Sequence, residues 1–217
     1  MCAIVGSKNV NTIKKLIELN SYRGSHSFSF SLFNLYTGHL HVIERRLGSI
    51  NLDNINIPHN SYGIVHVQAP TTDARDTNSI HPAMPLEGNV SKEFPSYALW
   101  HNGIIKQDTI NNYSEQYNTG WDTLIMLNEV SKGWDTLNNF DGTFSCLLYD
   151  GRDYSLKLFR NEISPMFIDS EMNISSTRFE GSVETTPNVV WKMNLYDNEL
   201  IDVGSFETVE NPYFFGE

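Results

Sequence analysis

The chain has 217 residues, of which 40% are hydrophobic and 12% aromatic, so it is long enough to bury one sizeable core. Its formal net charge of −11 at pH 7 argues against a surface that binds nucleic acid or anionic membranes, because such surfaces need clustered Lys and Arg. No apolar run is long enough to span a bilayer, and the N-terminus lacks the basic and apolar regions of a signal peptide. We therefore expect a cytoplasmic protein with one domain over residues 1–217.

The first third of the sequence predicts a helix and a hairpin. The segment NVNTIKKLIELN has an apolar stripe at roughly helical spacing, with Asn9 or Asn11 as its N-cap. The segment FSFSLFNLYTGHLHVIERRLG alternates apolar and polar residues on both sides of Thr37 and Gly38. This alternation predicts two strands joined by a tight turn.

Further strands and a second helix are predicted downstream. The strand candidates are YGIVHVQA, SYALWHNG, TFSCLLYDG, SLKLFR and NVVWKMN. The second helix is DTLIMLNEVSKG, with Asp122 as its cap and Gly133 as its end. Many strands with two helices favour an α+β domain in which helices cover stacked sheets. The stretch from Pro70 to Pro95 has no clear period and is predicted to be a loop that covers a site.

The two cysteines, Cys2 and Cys146, are too few for a disulfide framework, and neither has a partner at metal-ligand spacing. We expect no metal and no cofactor, and no glycine loop predicts a nucleotide site. Cys146 lies in FSCLLYD, which is typical of a buried strand. Cys2 is different, because removal of Met1 would leave a thiol and a free amine on one residue. A small apolar residue that starts a strand is the ordinary interpretation of Cys2.

The order of several short motifs connects Cys2 with residues far along the chain. The start MCAIVG is followed by YRG, HVQAPTT, an HP pair, HNGII and WDT. Taken singly, His66 suits a packed strand, Asn102 and Gly103 suit a turn, and Asp122 suits a helix cap. In this order and spacing, the motifs resemble the class II (N-terminal nucleophile) glutamine amidotransferase domain over nearly the whole chain. The resemblance is strongest to the domain of glucosamine 6-phosphate synthase and its phosphoribosyltransferase relatives.

The resemblance implies a four-layer αββα sandwich of the N-terminal nucleophile hydrolase type, and hydrolysis of the glutamine side-chain amide through a thioester on Cys2. The α-amino group of Cys2, freed by removal of Met1, would act as the base, because an α-amine titrates near pH 8. By the same resemblance, the side-chain amide of Asn102 and the backbone N–H of Gly103 would donate hydrogen bonds to the oxyanion.

Three more residues are assigned to the substrate site by the resemblance. Asp122 matches the carboxylate that pairs with the α-ammonium group of glutamine. Arg23 matches the YRG arginine that shapes the wall around the cysteine. His66 matches a strand histidine at the edge of the site, for which we predict only a structural role.

The sequence departs from the family at Gln68, where the family strand has an arginine that binds the substrate α-carboxylate. A neutral amide cannot supply the charged, bidentate pairing that suits arginine to carboxylates. We therefore predict that Arg75, or failing that Arg46, takes over this role. Thr71 and Thr72 are candidate hydroxyl donors beside it.

The resemblance also predicts partners. We expect glutamine or a related small amide as substrate, and a separate synthetase subunit that accepts the ammonia. Two alternatives stay open: an amidase of the same mechanism acting on another small or γ-glutamyl amide, and a catalytically silent binding or assembly module that keeps the fold. The aromatic residues Tyr213, Phe214 and Phe215 suit either a docking segment for a partner or a terminal strand on the core.

Overall fold

The computed structural model describes residues 2–69, 79–85 and 95–209. The strands within these ranges are β1 (Cys2–Ser7), β2 (Ser27–Asn34), β3 (Leu40–Leu47), β4 (Ser61–Gln68), β5 (Tyr97–Ile105), β6 (Gly142–Asp150), β7 (Ser155–Arg160), β8 (Phe167–Ile168), β9 (Ile174–Ser175), β10 (Val183–Glu184), β11 (Val189–Asn194) and β12 (Glu199–Ser205). The α-helices within the same ranges are α1 (Val10–Leu19), α2 (Gln107–Tyr117) and α3 (Asp122–Val130).

The strands form two antiparallel sheets that stack face to face. The first sheet has the order β10-β8-β9-β1-β4-β2-β3, and the second has the order β12-β11-β7-β6-β5. Apolar side chains of both inner faces, among them Ile4, Ile64 and Trp100, form the central core. Helix α1 covers the outer face of the first sheet, and α2 and α3 cover the outer face of the second. The predicted four-layer αββα sandwich is therefore confirmed.

The central strands are buried on both faces because each sheet lies between two other layers. In β4, Ile64 packs in the central core whereas its neighbour Val65 packs under α1. Helix α1 buries Ile13, Leu16 and Ile17 against the same outer face. The side chain of Asn9 accepts hydrogen bonds from two backbone N–H groups of the first turn, which confirms one of the two predicted N-caps.

The structure corrects two predictions about helices. Helix α2 was not predicted, because QDTINNYSEQY is polar and buries only Thr109 and Ile110. Helix α3 ends at Val130, before Gly133, and its N-cap is Trp121 rather than Asp122. The predicted cap was wrong because Asp122 is the first helical residue, and its side chain bonds the backbone N–H of the next residue instead of capping the turn.

The predicted hairpin is confirmed as β2 and β3, which pair antiparallel. The prediction missed the two-residue strands β8, β9 and β10 and the largely exposed strand β12, whose sequences are too short or too polar to show alternation. Cys146 is fully buried in β6, as predicted. Within the three described ranges, no helix is long and apolar enough to cross a bilayer.

Candidate active site

Cys2 lies at the start of β1, at one end of the space between the sheets. It pairs with Gln68 on β4, which in turn pairs with Ser27 on β2. Because alternate strand residues share a face, these three side chains point toward the second sheet, on the same side as Ile4. The thiol lies 3.8 Å from the carbonyl oxygen of Ala69 and is 7% exposed. Burial raises the pKa of the Cys2 thiol to about 11, so the thiol is protonated at neutral pH.

The Arg23–Gly24 pair forms the wall on the first-sheet side of Cys2. A Cβ atom on Gly24 would lie 2.3 Å from the backbone of Gln68, so this close approach requires glycine. The Arg23 guanidinium donates from Nε to Thr177 Oγ1 at 3.0 Å and from Nη2 to the carbonyl oxygen of Ser176 at 3.3 Å. The positive charge of Arg23 acts to lower the pKa of the Cys2 thiol, although burial outweighs it. Thr177 and the backbone of Ser176 thus anchor the Arg23 guanidinium, and its role near Cys2 stays a prediction.

Asn102 and Gly103 lie within β5, so their interpretation as a turn is wrong. The buried Asn102 side chain donates from Nδ2 to Ser145 Oγ at 3.4 Å, and its backbone carbonyl accepts a hydrogen bond from Ser164 at 3.0 Å. A Cβ atom on Gly103 would lie 1.9 Å from the carbonyl oxygen of Thr143, so the strands can pack this closely only with glycine. The second sheet thereby fixes the backbone of the candidate oxyanion donors.

Asp122 begins α3 and faces the same end of the sandwich. One carboxylate oxygen accepts the Thr123 backbone N–H at 2.7 Å, and the other lies 3.8 Å from His101 Nδ1. The side chain is 23% exposed. Burial is the main cause of the raised pKa of the Cys2 thiol, and the negative charge of Asp122 acts in the same direction. A partly exposed carboxylate suits an ammonium group of a ligand.

Three buried histidines join the two sheets behind these residues. His66 Nε2 lies 3.1 Å from the carbonyl oxygen of His101, and the His66 ring stacks on His81 with 4.0 Å between centroids. His81 Nε2 and His101 Nδ1 both contact Thr123 Oγ1, at 3.1 and 3.2 Å, and His81 Nδ1 lies 3.4 Å from the Gln68 side-chain amide. Burial lowers the pKa of His66 to about 3 and that of His81 well below its usual value. Both rings are therefore neutral at pH 7.

The structure also locates the arginines of β3. Arg46 pairs with Phe28 on the outer face, where its guanidinium lies over the Phe28 ring and forms an ion pair with Glu44 at 3.0 Å. The prediction that Arg46 binds a carboxylate near Cys2 was therefore wrong. Arg45 is instead on the inner face, half-buried, and donates from Nε to the carbonyl oxygen of Ile80 at 3.0 Å. Strand β3 has one extra residue opposite Phe30 and Ser31 of β2. This extra residue shifts the register of the two strands and thereby decides which arginine faces inward.

Sequence reasoning missed Arg45, and it named His81 only as part of an HP pair. Arg45 holds the backbone immediately before His81, which bridges Gln68 and Thr123. The polar residues at alternate positions of β2 and β3 could have indicated a polar surface that faces inward. To assign Arg45 to that surface, the register of the two strands was also needed.

The remaining predicted residues lie outside the described part of the chain. They are Thr71, Thr72, Arg75, Tyr213, Phe214 and Phe215. Among the residues that the structure does describe, no group of three or more His, Cys, Asp or Glu side chains is arranged to hold a metal ion.

The fold of this chain is similar to that of solved enzyme structures. The chain is similar to the glutamine phosphoribosylpyrophosphate amidotransferase from B. subtilis in complex with ADP and GMP, with 14% identity and a TM-score of 0.68, covering 94% of this chain and 49% of that one. It is also similar to a structure described as the allosteric regulatory enzyme of purine biosynthesis, with 12% identity and a TM-score of 0.67 at the same coverage. No protein-family model and no curated protein matches the sequence. The chain thus shares the fold of these enzymes and spans about half of their length.

Proposed function

We propose that this protein hydrolyses the side-chain amide of glutamine through Cys2, in the manner of a class II glutamine amidotransferase, and supplies the ammonia to a separate acceptor enzyme. The observation that supports this proposal is the packing of β5 against both β1 and α3. These elements carry the buried thiol of Cys2, the side-chain amide of Asn102 with the backbone N–H of Gly103, and the carboxylate of Asp122. The finer resemblance to glucosamine 6-phosphate synthase stays a prediction.

In the proposed reaction, Cys2 supplies both the nucleophile and the base. Its α-amine takes the thiol proton as the sulfur attacks Cδ of glutamine, and the oxyanion forms near Asn102 and Gly103. The amine then returns the proton to the leaving nitrogen, which departs as ammonia and leaves a γ-glutamyl thioester. Water attacks the thioester, and glutamate and the free thiol are regenerated. Asp122 holds the substrate by its α-ammonium group.

The direct test measures products. Protein shown by intact mass to lack Met1 is incubated with L-glutamine, and we expect glutamate and ammonia in equal amounts. A glutamine analogue with an electrophilic carbon in place of the amide is expected to label Cys2 and to label a Cys146→Ser control to the same extent. Trimmed protein that releases no glutamate and takes up no label would support the catalytically silent module instead.

Asn102→Ala is expected to reduce kcat by about a hundredfold or more with a much smaller change in KM, because an oxyanion donor contributes roughly 3 kcal/mol in the transition state only. Steady-state ammonia release measures this effect. Asn111→Ala, at an exposed position of α2, is the matched control and should retain the wild-type rate. Equal kcat values for Asn102→Ala and wild type would remove Asn102 from the mechanism.

The ammonia acceptor is proposed to be a separate synthetase subunit. Purification of the native protein under mild conditions tests this part, and recovery without a stoichiometric partner would count against it. A second candidate function, hydrolysis of a related amide by the same mechanism, is favoured by one observation: the residue paired with Cys2 across the sheet is the neutral Gln68.

A further inference from the structure

Two buried serines contact the backbone carbonyl of Asn102. Ser164, in the loop between β7 and β8, donates from Oγ to this carbonyl oxygen at 3.0 Å. Ser145, which pairs with Asn102 across β5 and β6, lies 3.5 Å from the same oxygen and 3.4 Å from Ser164 Oγ. A carbonyl can only accept, so the hydroxyl proton of Ser164 lies in its bond to Asn102. The mechanism proposed above gives neither serine a role.

Ser164 is itself held by a buried asparagine. The Asn161 side chain donates from Nδ2 to the carbonyl oxygen of Gly142 at 2.8 Å, so the other end of this amide is the oxygen. That oxygen accepts the backbone N–H groups of Phe144 at 3.3 Å and of Ser164 at 3.4 Å. The network therefore fixes Ser164 relative to the first residues of β6.

The carbonyl that Ser164 holds belongs to the same peptide unit as the N–H group of Gly103, a candidate oxyanion donor. A peptide unit is planar, and in its trans form the C=O and N–H bonds point in opposite directions. The hydrogen bond to the Asn102 oxygen therefore also fixes the direction of the Gly103 N–H group. It polarises the peptide unit as well, which strengthens the N–H group as a donor.

The pairing of β5 shows which way the Gly103 N–H group points. Successive backbone groups of a strand point to opposite edges, and β5 pairs with β6 without a register shift. Leu99 bonds Ala83 through both its N–H and its C=O, and the carbonyl oxygen of His101 lies 3.1 Å from His66 Nε2. These groups face the edge of β5 that is turned away from β6. Gly103, two residues beyond His101, faces the same edge, toward the first sheet that carries the thiol.

Ser145 acts on the second candidate donor, the side-chain amide of Asn102. Its Oγ lies 3.4 Å from this amide. The contact restrains the amide whichever of its two ends faces Ser145, because a hydroxyl can donate to the oxygen or accept from the nitrogen. In both cases the NH₂ group keeps at least one hydrogen for an oxyanion.

We propose that Ser164 is a positioning residue that holds the Asn102–Gly103 peptide unit, so that the Gly103 N–H group is directed at the forming oxyanion, and that Ser145 restrains the Asn102 amide beside it. This inference rests on the proposed amide hydrolysis. Ser164 acts through the peptide unit and not on the substrate itself. Because the oxyanion forms only in the transition state, loss of this hydroxyl should lower kcat and leave KM nearly unchanged.

The test measures ammonia release from L-glutamine by protein that lacks Met1. Ser164→Ala is expected to lower kcat by at least about tenfold, because small displacements of catalytic groups are costly, and to change KM by less than about twofold. Ser164→Thr keeps the hydroxyl and should restore most of the rate. The matched control is Ser114→Ala, which removes a serine that donates to a backbone carbonyl on α2 and should keep wild-type kinetics. Equal kcat values for Ser164→Ala and wild type, or a change in KM alone, would overturn the inference while leaving the proposed function intact.

A second measurement depends neither on turnover nor on the folding of the threonine variant. Carbon-13 and nitrogen-15 NMR of the backbone reports the hydrogen bonding of each peptide unit. In Ser164→Ala we expect the carbonyl carbon of Asn102 and the amide nitrogen of Gly103 to move upfield, because the carbonyl loses its donor. Unchanged resonances at both atoms would overturn the inference. If wild-type protein releases no ammonia, the proposed function fails, and these resonances still decide whether Ser164 holds the peptide unit.

Discussion

We expect glutamine hydrolysis to appear when the α-amine of Cys2 is freed, and we expect a peptide bond at that nitrogen to lower the rate by at least about a thousandfold. The reason is the buried thiol, whose pKa is raised to about 11. At pH 7.5 only about one thiol in three thousand would be ionised at this pKa. A neighbouring base is therefore needed, and an amide nitrogen at Cys2 cannot accept a proton.

One preparation can supply both states of the chain. The protein is produced with an N-terminal extension that replaces Met1 and ends in a protease site, so that cleavage leaves Cys2 as the first residue. Ammonia release is measured before and after cleavage. Cleaved Cys2→Ala protein, which keeps the free amine but lacks the thiol, is the matched control and is expected to be inactive. An uncleaved sample as active as the cleaved one would refute the role of the amine.

Acidification below pH 6.5 is expected to destabilise the fold steeply, because His66 and His81 are buried in neutral form. Burial lowers the pKa of His66 to about 3 and that of His81 well below its usual value. In the unfolded chain both rings take up a proton near pH 6.5, so the unfolded state binds more protons below that pH. Below pH 6.5, each ring then lowers the unfolding free energy by about 1.4 kcal/mol per pH unit. Above pH 6.5, both rings are neutral in the folded and the unfolded state, so the unfolding free energy no longer changes through them.

Urea unfolding at pH 7, 6 and 5 measures this dependence. His66→Gln should reduce the slope by about half, since one of the two titrating rings is gone. His59→Gln, at an exposed position, should leave it unchanged. Asp150 does not titrate in this pH range. Burial acts to raise its pKa, but hydrogen bonds from Arg152 and Lys157 outweigh burial and lower the pKa to about 2. The stability that Asp150 contributes is therefore lost only below its usual pKa of 3.8. An unfolding free energy that is constant from pH 7 to pH 5 would contradict the prediction.

Local patterns were sufficient for much of the fold. The alternation of apolar and polar residues around Thr37 and Gly38 predicted β2 and β3. Successive side chains of a strand point to opposite faces, so a strand with one buried face shows this alternation in its sequence. Helix α2 escaped prediction because its sequence is largely polar and its apolar stripe has only Ile110 and the partly buried Tyr113 and Tyr117. These side chains pack into the core cluster that α2 shares with α3.

The sequence by itself determined the identity and order of the candidate site residues, since the spacing of MCAIVG, YRG, HNGII and WDT is a property of the chain alone. Only the tertiary structure decided which polar groups share the inner face. One extra residue in β3 turns Arg45 inward and Arg46 outward, because successive strand side chains point to opposite faces. His81 likewise contacts side chains from separate elements, Gln68 on β4 and Thr123 on α3. These contacts join groups far apart in sequence, which no local pattern records.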